Sequence, residues 1–284
     1  MIKLVLTDLD DTLIAHGLPR ATDHAIEGIN AMIDAGLHFG PVSGRIPNDM
    51  DWMFDHHKEC YATGAYCNGQ MVYVDGELVH AEPLSGEELN RLAKVLADTG
   101  RGILTMFNVW EGDIKTAGYF VSPNARHAEH MLSRFGAAKR WVSRLDKPTY
   151  LKANIHVEGT REEQTQVRDI LRDEFPTMDF VFPSNFAPLL DVSPHGWSKG
   201  SAVKVLAKTL GITLDEVATF GDSENDLSMI EAVPNAVAMA NASEQVKRAA
   251  RWLIGASADD AAADALFDIA AAAKTGSMPS FMRE

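Results

Sequence analysis

Residues 1–45 alternate between apolar runs and polar turns in the order strand, helix, strand. The run IKLVLTDL (2–9) predicts a buried strand, and LHFGPVSGR (37–45) predicts a second one. Between them, ATDHAIEGINAMIDAG (21–36) carries apolar residues at helical spacing and ends on Gly36, a residue suited to close a helix. This order predicts a βαβ unit and therefore a parallel sheet.

The pattern changes at TGAYCNGQMVYVDGELVH (63–80), where short β-rich runs are separated by Asn68-Gly69 and Asp75-Gly76. These dipeptides are turn signals, so the segment predicts small hairpins. Further on, helical patterns such as GEELNRLAKVLADTG (86–100) are mixed with strand patterns such as YLKANIHVEG (150–159). We interpret the region 84–188 as an α+β unit of its own.

The α/β pattern returns at GWSKGSAVKVLAKTLG (196–211), a helix, and LDEVATFGDSENDLSMIEAV (214–233), a strand followed by a polar loop and a helix. Both ends of the chain are thus of one type, and the middle is of another. The sequence predicts an α/β protein with a Rossmann-like parallel-sheet core, residues 1–83 and 189–284, interrupted by an inserted α+β cap, residues 84–188.

Composition excludes several classes of partner. The 284 residues carry a formal net charge of −14, which disfavours nucleic acid and anionic membrane surfaces. Two cysteines do not form a disulfide framework, and the first apolar run is broken by aspartates, unlike a signal peptide. We therefore expect a cytoplasmic protein, a monomer or small homo-oligomer, with a small molecule rather than nucleic acid or membrane as its partner.

Aspartates stand where the first strand ends. Asp8 and Asp10 would crowd one point, and two unit charges about 4 Å apart repel by roughly 4 kcal/mol at an effective dielectric constant of about 20. Asp222, at the end of another predicted strand, would add to the repulsion. A divalent cation resolves this conflict, and oxygen ligands with room for water suit Mg²⁺.

Two further polar turns accompany these carboxylates. Lys199 begins a predicted helix, where a cation opposes the helix dipole unless it faces an anion. Ser43-Gly44 follows a strand and offers a hydroxyl and backbone N–H groups to an anion. A carboxylate nucleophile, a second carboxylate, a metal and a lysine together favour phosphoryl transfer. Asp8 would attack phosphorus, and Asp10 would act as general acid and base.

Four segments, in this order, resemble the motifs of the haloacid dehalogenase superfamily: DLDDTL (8–13), VSGR (42–45), GWSKG (196–200) and GDSENDLSMI (221–230). The large insertion after the second motif and after NGQ (68–70) is similar to that of the Cof-type branch, mostly Mg²⁺-dependent phosphatases of sugar phosphates and related metabolites. One departure is Asp11, where many relatives have glycine.

The resemblance implies a role for each matched residue. Asp8 would be the nucleophile, Asp10 the acid/base, Ser43 the phosphate-binding hydroxyl and Lys199 the charge stabiliser. Asp8, the Asp10 carbonyl and Asp222 would hold Mg²⁺. Three further positions would bind phosphate or substrate: Gly44, Asn68 and Asn225. Three others would support the site residues: Thr12, Arg45 and Asp226.

Three alternatives stay open at this point. The same intermediate serves a phosphotransferase or phosphomutase, and a phospho-aspartate regulatory protein also uses Asp, Lys and Mg²⁺. His56, His57 and Cys60 lie close together, although their spacing is unlike that of zinc ligands. In the cap, four polar residues are candidates for substrate contact or for solvated surface, and the sequence does not separate these: Lys152, His156, Asn185 and His195.

Overall fold

The computed structural model describes residues 1–110, 117–136, 140–183 and 187–283. Asn185 lies outside these residues. In chain order, the strands of the described residues are β1 (Leu4–Thr7), β2 (His38–Pro41), β3 (Gly64–Tyr66), β4 (Met71–Val74), β5 (Glu77–Ala81), β6 (Leu84–Ser85), β7 (Gly102–Phe107), β8 (Gly118–Val121), β9 (Trp141–Val142), β10 (Thr149–Tyr150), β11 (Ala153–Val157), β12 (Met178–Val181), β13 (Leu189–Pro194), β14 (Val217–Gly221), β15 (Asn235–Met239) and β16 (Trp252–Ile254). The helices are α1 (Asp23–Asp34), α2 (Met50–Met53), α3 (Gly86–Thr99), α4 (Ala125–Phe135), α5 (Arg161–Glu174), α6 (Lys199–Thr209), α7 (Leu227–Ile230), α8 (Glu244–Ala249) and α9 (Ala261–Thr275).

The chain forms two compact units. The first contains Met1–Gly44, Asp49–Ala81 and Ser198–Glu284, and the second contains Arg45–Asn48 and Glu82–Trp197. The second unit extends beyond residue 188, the predicted end of the insertion, because β13 pairs with β11 and β12 in its sheet. The strand that we assigned to the returning core is therefore the last strand of the insertion's own sheet.

A five-stranded sheet organises the first unit, in the order β16-β15-β14-β1-β2, with every pair parallel. This confirms the predicted α/β fold class. All residues of β1, β14 and β15 are buried, as expected for central strands that are covered on both faces. At the carboxyl end of β1, Thr7 is level with Phe220 of β14 on one side and with Pro41 of β2 on the other. Polar residues that follow β1, β2 and β14 are thereby brought to one edge of the sheet.

The predicted hairpins of residues 63–80 form a separate antiparallel sheet, β3-β4-β5, in the first unit. The first hairpin turns through Cys67, Asn68 and Gly69, which all have positive φ, at 55°, 57° and 90°. At Gly69 a side chain would also collide with α6, because a Cβ atom there would lie 2.8 Å from the Ser198 carbonyl oxygen. Glycine thus lets this turn pack against the start of α6.

The second unit contains a six-stranded sheet in the order β12-β13-β11-β7-β8-β9. One face carries the apolar core, which includes Ile155 on β11 and is completed by residues of α3 and α5 such as Leu92 and Leu171. Side chains alternate along a strand, so Asn154 and His156 lie on the opposite face. There, Lys152 Nζ lies 2.7 Å from Asp191 Oδ1, and Asn154 donates to the same carboxylate oxygen.

His156 is a buried histidine in that face. Its Nδ1 lies 2.8 Å from Thr105 Oγ1, and its ring centroid lies 5.8 Å from that of Phe120 and 5.2 Å from that of Phe135. Burial lowers the pKa of His156 from 6.5 to about 4. The candidate substrate contact is therefore a neutral, hydrogen-bonded core residue.

Acid should destabilise the protein through this histidine. The unfolded chain binds a proton near pH 6.5, whereas the folded chain does not until about pH 4, so stability is lost as the pH falls between them. We expect His156 alone to lower the free energy of unfolding by about 2 kcal/mol between about pH 7.5 and about pH 5. Urea unfolding of His156→Phe at both pH values should lack this component. The exposed control His130→Phe should retain it, and equal pH dependence in all three proteins would contradict the assignment.

Among the described residues, every helix is too short or too polar to cross a membrane.

Candidate active site

Three neighbouring strands of the parallel sheet place polar residues at one edge of the first unit. Asp8 directly follows β1 and donates its backbone N–H to the Phe220 carbonyl at 2.9 Å, so it stays in register with β14. Asp222 directly follows β14. Ser43 follows β2, and the Val42 N–H donates to the Thr7 carbonyl at 2.8 Å. The order of the strands thus brings Asp8 between Ser43 and Asp222.

Lys199 enters this edge from the first position of α6, which is capped by the Ser198 side chain. Its side chain is completely buried, and its Nζ lies 2.5 Å from Asp8 Oδ1 and 2.6 Å from Asp226 Oδ1. Gly200 lets α6 pack closely against α7, because a Cβ atom at this position would lie 2.1 Å from the carbonyl oxygen of Ser228. The two carboxylates explain why a lysine is stable at a helix start, where the dipole disfavours it.

Asp226 links the lysine to the loop that presents Asp222. Its Oδ2 accepts hydrogen bonds from the backbone N–H groups of Asp222 and Ser223, at 2.9 and 3.0 Å. Ser223 and Asp226 form the reciprocal capping box that their spacing predicts. The Asp222 carboxylate accepts from Thr12 Oγ1 at 2.8 Å and from Ser223 Oγ at 2.7 Å. Thr12 and Asp226 are therefore both in contact with the site residues that they were predicted to support.

Burial and mutual repulsion disfavour the charged carboxylates. Burial, followed by the charge of Asp226, raises the pKa of Asp8 well above its ordinary value, although Lys199 opposes the rise. The same two causes raise the pKa of Asp222 to about 7. Burial alone would lower the pKa of Lys199, but the charges of Asp226 and Asp8 outweigh it and raise the pKa. The site therefore holds more negative charge than its lysine neutralises.

This charge imbalance fits a divalent cation. Asp8, Asp222 and Asp226 each have a carboxylate oxygen within 4.8 Å of those of the other two, and all three residues are buried. Against one ammonium group, three carboxylates leave two negative charges, the amount that one divalent ion balances. Asp226 already uses one oxygen for Lys199 and the other for two backbone N–H groups. Asp8 accepts from Lys199 through Oδ1, and each Asp222 oxygen accepts from a single hydroxyl, so these two carboxylates are the better-placed side-chain ligands. Carboxylate oxygens suit a hard cation.

Asp10 differs from the expectation that it crowds Asp8. β1 ends at Thr7, so the strand alternation used to place both aspartates on one face no longer applies. Asp8 is buried, whereas Asp10 is exposed in the loop that follows. The repulsion on Asp8 comes first from Asp226 and then from Asp222, with Asp10 contributing less than either. Asp226 was predicted to support the site from the resemblance, and its three-residue spacing from Ser223 is also that of a capping box.

Ser43, Asn68 and Asn225 are connected through the backbone and one amide contact. The Asn68 N–H donates to the Ser43 carbonyl at 2.9 Å, and Asn225 Nδ2 lies 3.4 Å from Asn68 Oδ1. Asn225 Oδ1 is buried without a hydrogen-bond partner among the described residues. The Ser43 N–H is not available to an anion as predicted, because it donates to the Ala65 carbonyl at 2.9 Å. The Ser43 side chain and the half-buried Gly44 remain as candidates for phosphate binding.

Arg45 is half-buried and belongs to the second compact unit. The candidate zinc ligands belong to the first unit. His56 and His57 bind separate acidic residues, Asp51 at 2.7 Å and Glu59 at 3.0 Å, and Cys60 is buried. Among the described residues, the aspartate cluster is the group of metal-ligating side chains that converges. The zinc alternative is not supported.

Comparisons with known proteins relate nearly the whole chain to one family. The family model of haloacid dehalogenase-like hydrolases matches residues 5–266. Phosphatase YwpJ of Bacillus subtilis is 46% identical, over 87% of this chain and 92% of its own. The structure of SMU.1108c from Streptococcus mutans superposes with a TM-score of 0.81 at 17% identity, covering 95% of this chain and 100% of its own. That of the subclass IIB sugar phosphatase BT4131 gives 0.73 at 23% identity, covering 96% and 99%.

These matches confirm the predicted Rossmann-like core with a cap, since both solved structures share the fold over nearly the whole chain. The family match and the names of its members also confirm the prediction of an enzyme of the phosphoric monoester hydrolase class. The family model covers most of the first unit and all of the second. The chain belongs to the haloacid dehalogenase-like hydrolase family.

Proposed function

We propose that the protein is a Mg²⁺-dependent phosphatase that hydrolyses a small phosphorylated metabolite, and that a sugar phosphate is its substrate. The observation that carries the proposal is the buried cluster in which Lys199 joins Asp8 to Asp226 beside Asp222. Such a cluster is costly for stability, because several like charges are withdrawn from water. Its chemistry matches the needs of phosphoryl transfer, in which negative charge must be neutralised around a carboxylate nucleophile.

In the proposed first step, an Asp8 carboxylate oxygen attacks the phosphorus atom and the bond to the leaving oxygen breaks. Asp10 donates its proton to that oxygen, so the alcohol leaves neutral and an aspartyl-phosphate remains on Asp8. In the second step, Asp10 accepts a proton from a water molecule whose oxygen attacks the same phosphorus. The acyl-phosphate bond breaks, inorganic phosphate leaves, and Asp8 and Asp10 return to their starting forms.

Lys199 supplies a fixed positive charge to both steps, because its ammonium group is held by two carboxylates and cannot turn to solvent. Asp8, Asp222 and the Asp10 carbonyl would hold Mg²⁺, which when bound neutralises charge on the phosphoryl oxygens. Ser43 and Asn225 are proposed to bind the phosphoryl group or the substrate. The unpartnered Oδ1 of Asn225 is an acceptor, so it supports contact with a donor such as a substrate hydroxyl rather than with the phosphoryl oxygens.

A sugar phosphate is proposed because BT4131 is a sugar phosphatase with a similar fold over nearly the whole chain. The acidic composition agrees with a small substrate, since a net charge of −14 disfavours polyanions. We propose that the first unit carries the catalytic residues and that the second unit selects the substrate.

The test is phosphate release from a panel of sugar phosphates and other phosphorylated metabolites. With Mg²⁺ we expect turnover of at least one sugar phosphate, and with a chelator we expect a loss of about 100-fold or more, the scale on which a catalytic metal acts. Added alcohols should not change the phosphate yield. Phosphate transfer to the alcohol would instead indicate a phosphotransferase, and a stable aspartyl-phosphate without turnover would indicate a regulatory protein.

A further inference from the structure

Asn241 lies in the turn after β15 and reaches the loop that carries Asp10. Its Nδ2 donates to the Asp11 carbonyl at 2.8 Å, and its Oδ1 accepts the Ser257 N–H at 2.9 Å. The two partners fix the orientation of the amide, since a carbonyl needs a donor and an N–H needs an acceptor. One side chain thereby connects the turns that follow β1, β15 and β16.

The turn that presents Asn241 is itself held in place. The Ala240 N–H donates to the Gly255 carbonyl at 3.2 Å, and the Ser243 N–H donates to the Asp222 carbonyl at 2.9 Å. The second of these bonds joins the turn to a proposed ligand of the metal. The backbone that carries Asn241 is therefore hydrogen-bonded to the loop of Asp222.

The Asp11 peptide lies in a strained part of the Asp10 loop. Asp11 has a φ of 64°, a left-handed conformation that favours glycine. Within the loop, the Asp11 N–H donates to the Ile14 carbonyl at 2.8 Å. The Asp11 carbonyl is the group that Asn241 holds from outside.

We propose that Asn241 is a positioning residue for the general acid/base, because it fixes the Asp11 peptide and with it the direction of the Asp10 side chain. The inference rests on the proposed function, in which Asp10 transfers the proton. Asp10 is exposed, and it directly precedes the peptide whose carbonyl Asn241 holds. A catalytic group that is displaced by about 1 Å can lose a factor of about 100 in rate.

Two variants of Asn241 separate its two hydrogen bonds. Asn241→Asp keeps an acceptor for the Ser257 N–H but has no donor for the Asp11 carbonyl, whereas Asn241→Ala removes both. If the contact with Asp11 matters, both variants are impaired to a similar extent. If only the contact with Ser257 matters, Asn241→Asp behaves like the wild type and the proposal is wrong.

The readout is the dependence of kcat/KM on the leaving group, because kcat/KM reports the steps up to release of the alcohol. Phenyl phosphate needs a proton on its leaving oxygen, whereas p-nitrophenolate departs without one. We expect kcat/KM of Asn241→Asp to fall about 10- to 100-fold for phenyl phosphate and less than about threefold for p-nitrophenyl phosphate. Equal losses for both esters would show a general defect and would overturn the assignment.

Asn235 provides a matched control at the other end of β15. Its Nδ2 donates to the Asp215 carbonyl at 2.8 Å and to the Val217 carbonyl at 3.2 Å, away from the site edge. Asn235→Ala should lower the melting temperature and leave both kcat/KM values unchanged. Asn241→Asp should leave the melting temperature unchanged, since the residue is exposed, and should lower kcat/KM for phenyl phosphate selectively. A loss in Asn241→Asp that follows melting temperature alone would contradict the proposal.

A defect in metal binding is distinguished by titration with Mg²⁺. We expect the concentration for half-maximal activity to be similar in the wild type and in Asn241→Asp, and saturating Mg²⁺ should not restore phenyl phosphate turnover. Restoration would assign Asn241 to the metal site instead and overturn the inference. The proposed function is tested separately by wild-type turnover of the sugar phosphate panel, because that result does not depend on Asn241.

Discussion

Asp8→Asn should abolish phosphate release, with a loss of about 10⁴-fold or more, the scale on which an enzyme loses rate when its nucleophile is removed. The amide keeps the shape of the side chain and an oxygen that can accept from Lys199, so the fold should persist. It cannot form a stable bond to phosphorus and release it as a carboxylate does. Steady-state phosphate release with saturating Mg²⁺ and the best substrate of the panel measures the loss.

Asp8→Asn should not lower the free energy of unfolding, although it abolishes activity. Burial and the charge of Asp226 raise the pKa of Asp8, which means that the folded protein disfavours the carboxylate form. Without Mg²⁺, the free energy of unfolding of Asp8→Asn should therefore equal or exceed that of the wild type at neutral pH. Asp34→Asn, the same chemical change at the exposed end of α1, should leave both activity and stability unchanged.

Acid quenching during turnover tests the covalent role directly. The wild type should retain phosphate on the protein in an acid-stable, base-labile form, and Asp8→Asn should retain none. Asp10→Asn should still become labelled from p-nitrophenyl phosphate, because this leaving group needs no proton. Labelled Asp8→Asn, or an Asp8→Asn variant with wild-type turnover, would refute the proposed mechanism.

The sheet and its site edge could be predicted from the sequence because they depend on local patterns. Asp8 and Asp222 each follow a buried strand, and parallel strands bring their carboxyl ends to one edge. Lys199 could be placed because a cation at a helix start needs an anion nearby. These inferences require only periodicity, turn signals and charge.

The remaining features depend on contacts between distant segments. Gly200 lets α6 approach α7, and Asp226, which directly precedes α7, contacts Lys199 at the start of α6. β13 joins the sheet of the second unit through pairing with β11 and β12, and pairing across a loop leaves no signal in the strand itself. Asp10 is exposed because β1 ends at Thr7, a boundary that apolar patterning does not fix to one residue.

Lys199→Met should remove both activity and much of the stability. The substitution leaves Asp8 and Asp226 buried beside an apolar side chain, and removal of one partner from a buried ion pair costs about 3–5 kcal/mol. Activity should fall by about 10³-fold or more, because the charge that faces the phosphoryl group is lost. Lys204→Met, an exposed position on the same helix, should change neither quantity.

A double variant separates the two effects. Lys199→Met leaves the carboxylates of Asp8 and Asp226 without their ammonium partner. In Lys199→Met/Asp226→Asn, the Asp226 charge is removed, and Asp8 can become protonated because its pKa is already raised. The free energy of unfolding should therefore recover in part, while phosphate release stays as low as in the single variant. If activity returned together with stability, Lys199 would be a structural residue only. Because Asp226 also holds the loop that presents Asp222, the double variant is compared with Asp226→Asn alone. Activity below that of Asp226→Asn, in a protein with restored stability, assigns the Lys199 charge to the reaction, because neither the fold nor Asp226 then accounts for the loss.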